Sequence, residues 1–226
     1  MIELRNINKY YGNLHVLKNI NLTVGNDEIV TVVGPSGAGK TTLLQIAGTL
    51  DKQDSGDIIY NGENPGKLND RKLSEFRNRN IGFVFQFHQL LPEFTATENV
   101  AMPALIAGES RKVALDKAKH LLEKLGLAER LGHKPSQMSG GERQRTAIAR
   151  ALMNDPQVIF ADEPTGSLDS HNRDIIRELI RRIREELHRT FVIVTHDPSM
   201  NSISDRVVEM RDGMIISDCM KSDLLV

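Results

Sequence analysis

An α/β fold with a parallel-sheet core and a helical insertion is what this 226-residue chain predicts, and three observations carry the prediction. Short apolar runs at Ile29–Val33, Ile81–Phe85, Val158–Ala161 and Phe191–Val194 read as buried strands, and they alternate with segments of helical periodicity. Between residues 87 and 155 that alternation lapses into consecutive helix-like segments. Ahead of the first buried run, residues 2–9 and 15–24 alternate apolar with polar positions (Ile2, Leu4, Ile7; Val16, Ile20, Leu22, Val24), as antiparallel strands with one buried face do.

In chain order, Thr42 to Leu50 predicts a short apolar-faced helix, and Ser55–Tyr60 a strand closed by an Asn61-Gly62 turn. Asp70 to Arg79 is a charged, exposed helix leading into the Ile81–Phe85 strand. The helical stretch divides into Thr95–Ile106, with Pro103 as a potential break, then Arg111–Leu125 and Gly141–Met153. Later, Ile176, Leu179, Ile180, Ile183 and Leu187 recur at helical spacing, with Glu178 and Arg182 set to pair at i,i+4 and the arginines on a solvated face. Residues 205–217 predict a closing hairpin through Asp212-Gly213, and the last nine residues carry no readable signal. One domain is expected, with its core in 1–86 and 156–226 and a helical subdomain at about 87–155.

Composition narrows the partners. Twenty-nine Lys and Arg against 30 Asp and Glu leave a net charge of −1, which gives no general attraction to nucleic acid or to an anionic membrane, so phosphate binding has to be local. No apolar run reaches the roughly 18–20 residues that span a bilayer, and Met1-Ile2-Glu3-Leu4 begins a strand-like pattern and not a signal peptide, so a cytosolic chain is expected. The single cysteine, Cys219, excludes an intrachain disulfide and a cysteine-based metal cluster.

The chemistry is concentrated at the ends of the buried runs. Ile29–Val33 leads into Gly34-Pro35-Ser36-Gly37-Ala38-Gly39-Lys40-Thr41-Thr42, which fits G-x-x-x-x-G-K-[ST]. Glycines let the backbone close around a polyphosphate, the following helix presents its positive end, Lys40 supplies a point charge, and the Thr41 hydroxyl is a ligand for Mg2+. Val158–Ala161 ends in Asp162-Glu163: one carboxylate to support Mg2+ through water, the other to orient and deprotonate an attacking water. Of the seven histidines, only His196 stands at the C-terminal end of an expected strand, where open α/β sheets place their ligands.

Other features read two ways in isolation. Tyr10-Tyr11 before Gly12 is ordinary strand-and-turn sequence or an aromatic face for adenine. Gln86 is a strand-end cap or a ligand. Ser139-Gly140-Gly141-Glu142 is a common helix start or a second anion site. Asp169 is a helix cap or an acid of the site, and the apolar Phe87–Phe94 stretch packs internally or docks another protein.

With these pieces in order, the chain resembles the nucleotide-binding domains of ABC transporters over nearly its whole length. The resemblance implies a P-loop NTPase with a RecA-like parallel-sheet core, N-terminal antiparallel strands and an inserted all-helical subdomain. It assigns Tyr11 to adenine stacking and Gln86 to Mg2+ and the γ-phosphate. It makes Asp162 and Glu163 the Mg2+-supporting and catalytic carboxylates, Asp169 the acid of the D-loop, and His196 the switch histidine. Met138-Ser139-Gly140-Gly141-Glu142 resembles the family signature L-S-G-G-Q, with Met for Leu and Glu for Gln. In that family the signature of one subunit caps the ATP of another, so a head-to-tail homodimer around two ATP and Mg2+ is implied.

Residues 85–103, with 139–145 and 161–169, further resemble the branch that releases lipoproteins from the bacterial inner membrane. That implies peripheral attachment at its cytoplasmic face, docking of membrane subunits near residues 87–103, and cargo handled by those subunits. Macrolide-exporter and cell-division ATPases are close relatives of that branch. A P-loop kinase for a small metabolite would leave the Ser-Gly-Gly helix start and Glu163 without a purpose. Soluble ABC ATPases of DNA repair or translation usually need a long coiled-coil insertion or tandem cassettes, which 226 residues do not accommodate.

Overall fold

The computed structural model describes residues 1–221. Five strands form a parallel sheet: β3 (Ile29–Val33), β5 (Ile81–Phe85), β6 (Val158–Asp162), β7 (Thr190–Val194) and β8 (Arg206–Arg211). β9 (Met214–Met220) adds antiparallel at one edge, giving the order β5-β6-β7-β3-β8-β9. β1 (Ile2–Tyr11), β2 (Leu14–Val24) and β4 (Ser55–Tyr60) make a second, antiparallel sheet in the order β2-β1-β4.

The apolar runs are explained by burial on both faces. Along β3, β6 and β7, Val30, Val32, Val158, Phe160, Val192 and Val194 face a core shared with the antiparallel sheet. The intervening Ile29, Ile159, Ala161, Phe191 and Ile193 face a second core under two helices, α5 (Gly140–Leu152) and α6 (Ser170–Leu187). A strand covered on both sides has no polar alternation to show. α1 (Lys40–Ala47) lies between the two sheets and buries Leu43, Leu44 and Ile46 there.

Several expected bounds shift for local reasons. α1 begins at Lys40, two residues before the sequence suggests, and stops at Ala47 because Gly48 caps it and Thr49 turns left-handed at φ 59°. In β1, Ile2, Leu4 and Ile7 share one face despite their uneven spacing, because a register shift falls between Leu4 and Ile7, where Asn6 has φ 53°. The closing hairpin runs to Met220, three residues beyond expectation, held by Arg206 donating to Asp218 at 2.5 and 2.6 Å.

Between β5 and β6 lie α3 (Ala96–Ile106), α4 (Arg111–Lys124) and α5, with α2 (Asp70–Asn80) exposed ahead of β5. Pro103 does not break α3. The helix runs on to Ile106 although the ring leaves the Asn99 carbonyl without its helical donor, and the Pro103 carbonyl accepts from Ala107 N–H, Asn78 Nδ2 and Asn154 Nδ2. Thr95 and Glu98 close a reciprocal cap at the helix start. α5 belongs to two cores: Ile148 and Leu152 pack under the sheet, while Ala149 and Met153 pack with α3 and α4. On α6, Glu178 pairs with Arg181, not with the expected Arg182; Arg181 also takes Glu185, and Arg182 turns to Glu186.

Candidate nucleotide site

Strand register assembles the site. Phe85 lies opposite Asp162, Asp162 opposite Val194, and Val194 opposite Val32. Gln86, Glu163, Thr195 and the loop that begins at Gly34 therefore leave the same edge of four neighbouring parallel strands. This carboxyl edge is where open α/β sheets bind ligands.

The Gly34–Thr41 loop is shaped by backbone conformations that side chains rarely adopt. Gly34 has φ 148°, and a Cβ there would stand 2.1 Å from the Met210 carbonyl oxygen. Gly39 caps α1 with φ 96° and offers no side chain to the helix's first amides, which leaves that positive end to a ligand. Lys40 reaches back over the loop, with Nζ donating to the Gly34 carbonyl at 2.9 Å and to that of Pro35 at 3.0 Å. An open cleft of about 470 Å³ runs beside the loop, lined among others by Tyr11, Ser36, Gly37, Lys40, Thr42 and Glu163. No residue of the 138–142 run lines it.

The two acids sit in different surroundings. Thr41 Oγ1 donates to Asp162 Oδ1 at 3.3 Å, so a hydroxyl and a carboxylate, both hard oxygen donors suited to Mg2+, meet at the end of the phosphate loop. Burial pushes the Asp162 carboxyl above its ordinary value, opposed by the Thr41 hydrogen bond and reinforced by the charge of Glu163. Glu163 is held at φ 47°, with its N–H on the Val194 carbonyl. Its Oε2 accepts from Thr195 Oγ1 at 3.0 Å, and its Oε1 lies 2.7 Å from His196 Nδ1. Gln86 is half-buried at the end of β5, its carbonyl accepting from Ser167 Oγ at 3.2 Å.

Tyr11 and Tyr10 have separate fates. Tyr10 stacks on His15 with centroids 4.0 Å apart, whereas Tyr11 stays half exposed on the cleft. The Tyr11 hydroxyl donates to Asp51 Oδ2 at 2.7 Å, and Lys9 Nζ lies 5.0 Å from its ring centroid while pairing with Asp51 at 2.9 Å. Thr195, Asp51 and Lys9 are the supporting residues that sequence reasoning missed. Thr195 stood beside His196 in an apolar strand end, and Asp51 lies 40 residues from its tyrosine without any periodic signal.

The 138–142 run starts α5 elsewhere on the surface. Ser139 caps the helix, and Glu142 turns back onto it, accepting from the Ser139 N–H at 2.7 Å and from Arg130 Nε at 2.7 Å. A Cβ at Gly141 would stand 2.0 Å from Asn172 Oδ1, so the Asn172 side chain would have to move to admit one. Asp169 caps α6 by accepting from the N–H and Nδ2 of Asn172, both at 2.8 Å, so the α5 and α6 starts adjoin in one chain.

Residues 87–94 form an apolar surface held from behind. Phe87 is 78% exposed, while Arg150 donates to the carbonyls of His88 and Gln89 at 2.8 and 2.6 Å. Beside it lies an open groove of about 430 Å³ whose walls include Arg77, Phe83, Phe85, Gln89 and Ile106. Among the described residues no helix is long and apolar enough to cross a membrane.

Fold and site together define a P-loop NTPase. The family model described as ABC transporter matches residues 17–166, and the chain belongs to that family as an ATP-hydrolysing transporter subunit. It is 56% identical over 218 residues to the lipoprotein-releasing system ATP-binding protein LolD of Bacteroides thetaiotaomicron, covering 96% of this chain and all of that one. LolD of Geobacter metallireducens is 50% identical over 222 residues, covering 96% of this chain and 99% of that one. Among solved structures, the dimeric ATP-binding cassette MJ0796 in a post-hydrolysis state bound to ADP and Pi superposes with a TM-score of 0.89 at 38% identity, covering 97% of this chain and 98% of that chain.

Proposed function

We propose that this chain drives release of lipoproteins from the bacterial inner membrane, acting as a head-to-tail homodimer on the cytoplasmic face and docked to integral membrane subunits through residues 87–103. The cargo assignment is supported by full-length identity to LolD proteins. The dimer is supported by one observation above the others: the cleft beside the phosphate loop is open, and no residue of the Ser139–Glu142 helix start lines it.

In this reading adenine stacks on Tyr11, and the phosphates lie against Gly34, Pro35, Ser36, Gly37, Ala38, Gly39, Lys40, Thr41 and Thr42. Mg2+ would be held by Thr41, Gln86 and, through water, Asp162, and supplies charge neutralisation at the phosphates. Glu163 orients and deprotonates the attacking water, with its carboxylate aimed by Thr195. His196 keeps the γ-phosphate and that water in register. Lys40 and Ser139, Gly140 and Gly141 of the partner subunit stabilise the charge that develops on the transferring group. Asp169, at the foot of α6, adjoins the signature of its own chain and belongs to the subunit contact. Closure over two ATP becomes motion of whatever is seated on Phe87 and the neighbouring groove.

The experiment is depletion of the protein in its host, paired with a photo-crosslinker at Phe87. Lipoproteins held back in the inner membrane, together with crosslinks to integral membrane subunits, are expected. Normal lipoprotein sorting with a new defect in drug efflux or division would move the chain to one of the neighbouring branches.

A further inference from the structure

We propose that Arg130 is a positioning residue of the ATPase: by pairing with Glu142 it keeps the charge of the fifth signature residue off the nucleotide that Ser139 and the α5 N-terminus meet. This rests on the head-to-tail reading above. Where the family pattern has a neutral Gln, this chain places a carboxylate in the first turn of the helix whose amides are to receive a phosphate. A carboxylate and a phosphate compete for the same positive helix end and repel one another.

The geometry contains the compensation. Glu142 Oε2 accepts from the Ser139 N–H at 2.7 Å and Oε1 from Arg130 Nε at 2.7 Å, so the side chain is folded back along its own helix start with both oxygens engaged. Ser139 Oγ in turn accepts from the Glu142 N–H at 3.2 Å, closing the reciprocal cap at the helix start. Arg130 comes from the short turn at Ala128–Arg130, outside α5, and among the described residues the one other hydrogen bond of its guanidinium is a long 3.4 Å contact to the Glu129 carbonyl. Arg145 also faces Glu142 from α5, but among the described residues Arg130 is the cation hydrogen-bonded to it. The Ser139 amide, with Arg130 adding to it, holds the Glu142 carboxyl below its usual range, as expected of a permanently charged group. Losing Arg130 would strand that charge where the γ-phosphate of the other subunit has to approach.

A staple that merely stabilised α5 would make a different prediction: its loss would lower the melting temperature and leave unchanged the ATP concentration at which the folded chain dimerises. The test uses the full chain carrying Glu163→Gln, with the ATP concentration for half-maximal dimer formation read by sedimentation. Arg130→Met should raise that concentration roughly tenfold, less at high salt, and adding Glu142→Gln should bring it back to within about twofold. An unchanged Arg130→Met, or a double variant as defective as Arg130→Met alone, overturns the proposal. A Glu163→Gln parent that stays monomeric at saturating ATP overturns the head-to-tail reading and this proposal with it. Should Arg130→Met melt out before assay, Arg130→Gln, which takes the positive charge out of the pair, should give a smaller rise that Glu142→Gln again reverses; no rise, or one that is not reversed, overturns the proposal.

Discussion

His196 Nδ1 and Glu163 Oε1 lie 2.7 Å apart, and Thr195 Oγ1 holds the second oxygen of the same carboxylate at 3.0 Å. The contact is a product of sheet register: Asp162 sits opposite Val194, so the next residues of β6 and β7 leave the sheet side by side. Glu163 then bends away at φ 47°, a conformation a non-glycine residue keeps only when its surroundings impose it. The arrangement sets one carboxylate on the cleft wall, held by Thr195 and His196, apart from the half-buried Asp162 on Thr41.

Glu163→Gln tests that assignment. The amide retains an oxygen for Thr195 but cannot take a proton, so hydrolysis should fall about a hundredfold or more, on the order of 3 kcal/mol of barrier. ATP binding should persist, and the ATP-bound dimer should accumulate. Phosphate release alongside nucleotide binding checks both, and near wild-type turnover would remove Glu163 from its role.

The phosphate loop predicts a contrast between two of its glycines. Gly34→Ala sets a Cβ 2.1 Å from the Met210 carbonyl, so the loop or β8 must move; a loss of more than about 2 kcal/mol of stability, with loss of ATP binding, is expected. Gly37 has φ 80° with nothing within 4 Å, so Gly37→Ala carries only the backbone penalty, about 1 kcal/mol. Denaturant unfolding of the two variants measures the difference directly; equal losses would contradict the close approach at Gly34.

Asn99 is the buried tie beneath the Phe87–Phe94 surface. Its Nδ2 donates to the carbonyls of Leu91, Phe94 and Thr95, and its Oδ1 accepts from the Leu91 N–H at 2.7 Å. Asn99→Ala takes these partners from the Leu91 N–H and the Phe94 carbonyl, while the Leu91 and Thr95 carbonyls keep their backbone donors, and should cost about 2–3 kcal/mol. Hydrogen exchange should quicken at residues 91–95 while the phosphate loop is unaffected. Unchanged exchange there would show that the loop is held by other contacts.

The residues behind these predictions differ in how legible they were. Strand ends were plain, because apolar runs such as Val158–Ala161 end abruptly in polar chemistry, and parallel sheets gather such ends on one edge. The signature helix start was visible as Ser139 and two glycines. What escaped were supports joined only through tertiary structure: Asp51 under Tyr11, Thr195 under Glu163, and Arg130 under Glu142. No periodicity links residues 40 apart, and a threonine closing an apolar strand looks like any β-branched residue. Pro103 misled for a complementary reason: its carbonyl is tied by Asn78, Asn154 and Ala107, tertiary contacts with no sequence signal, and the helix runs on past it.

The central claim is that one chain carries half of each nucleotide site, and mixing two defective chains tests it most directly. Lys40→Ala disables a phosphate loop and Ser139→Ala a signature, so each homodimer lacks a complete site. In the mixed dimer, Lys40 of one chain meets Ser139 of the other, and one site is whole. Equal mixing should recover roughly a quarter of wild-type phosphate release if the sites act independently, since half the dimers are mixed and each has one of two sites. A mixture no more active than its separate components, or a Ser139→Ala monomer that no longer binds ATP, would contradict the account.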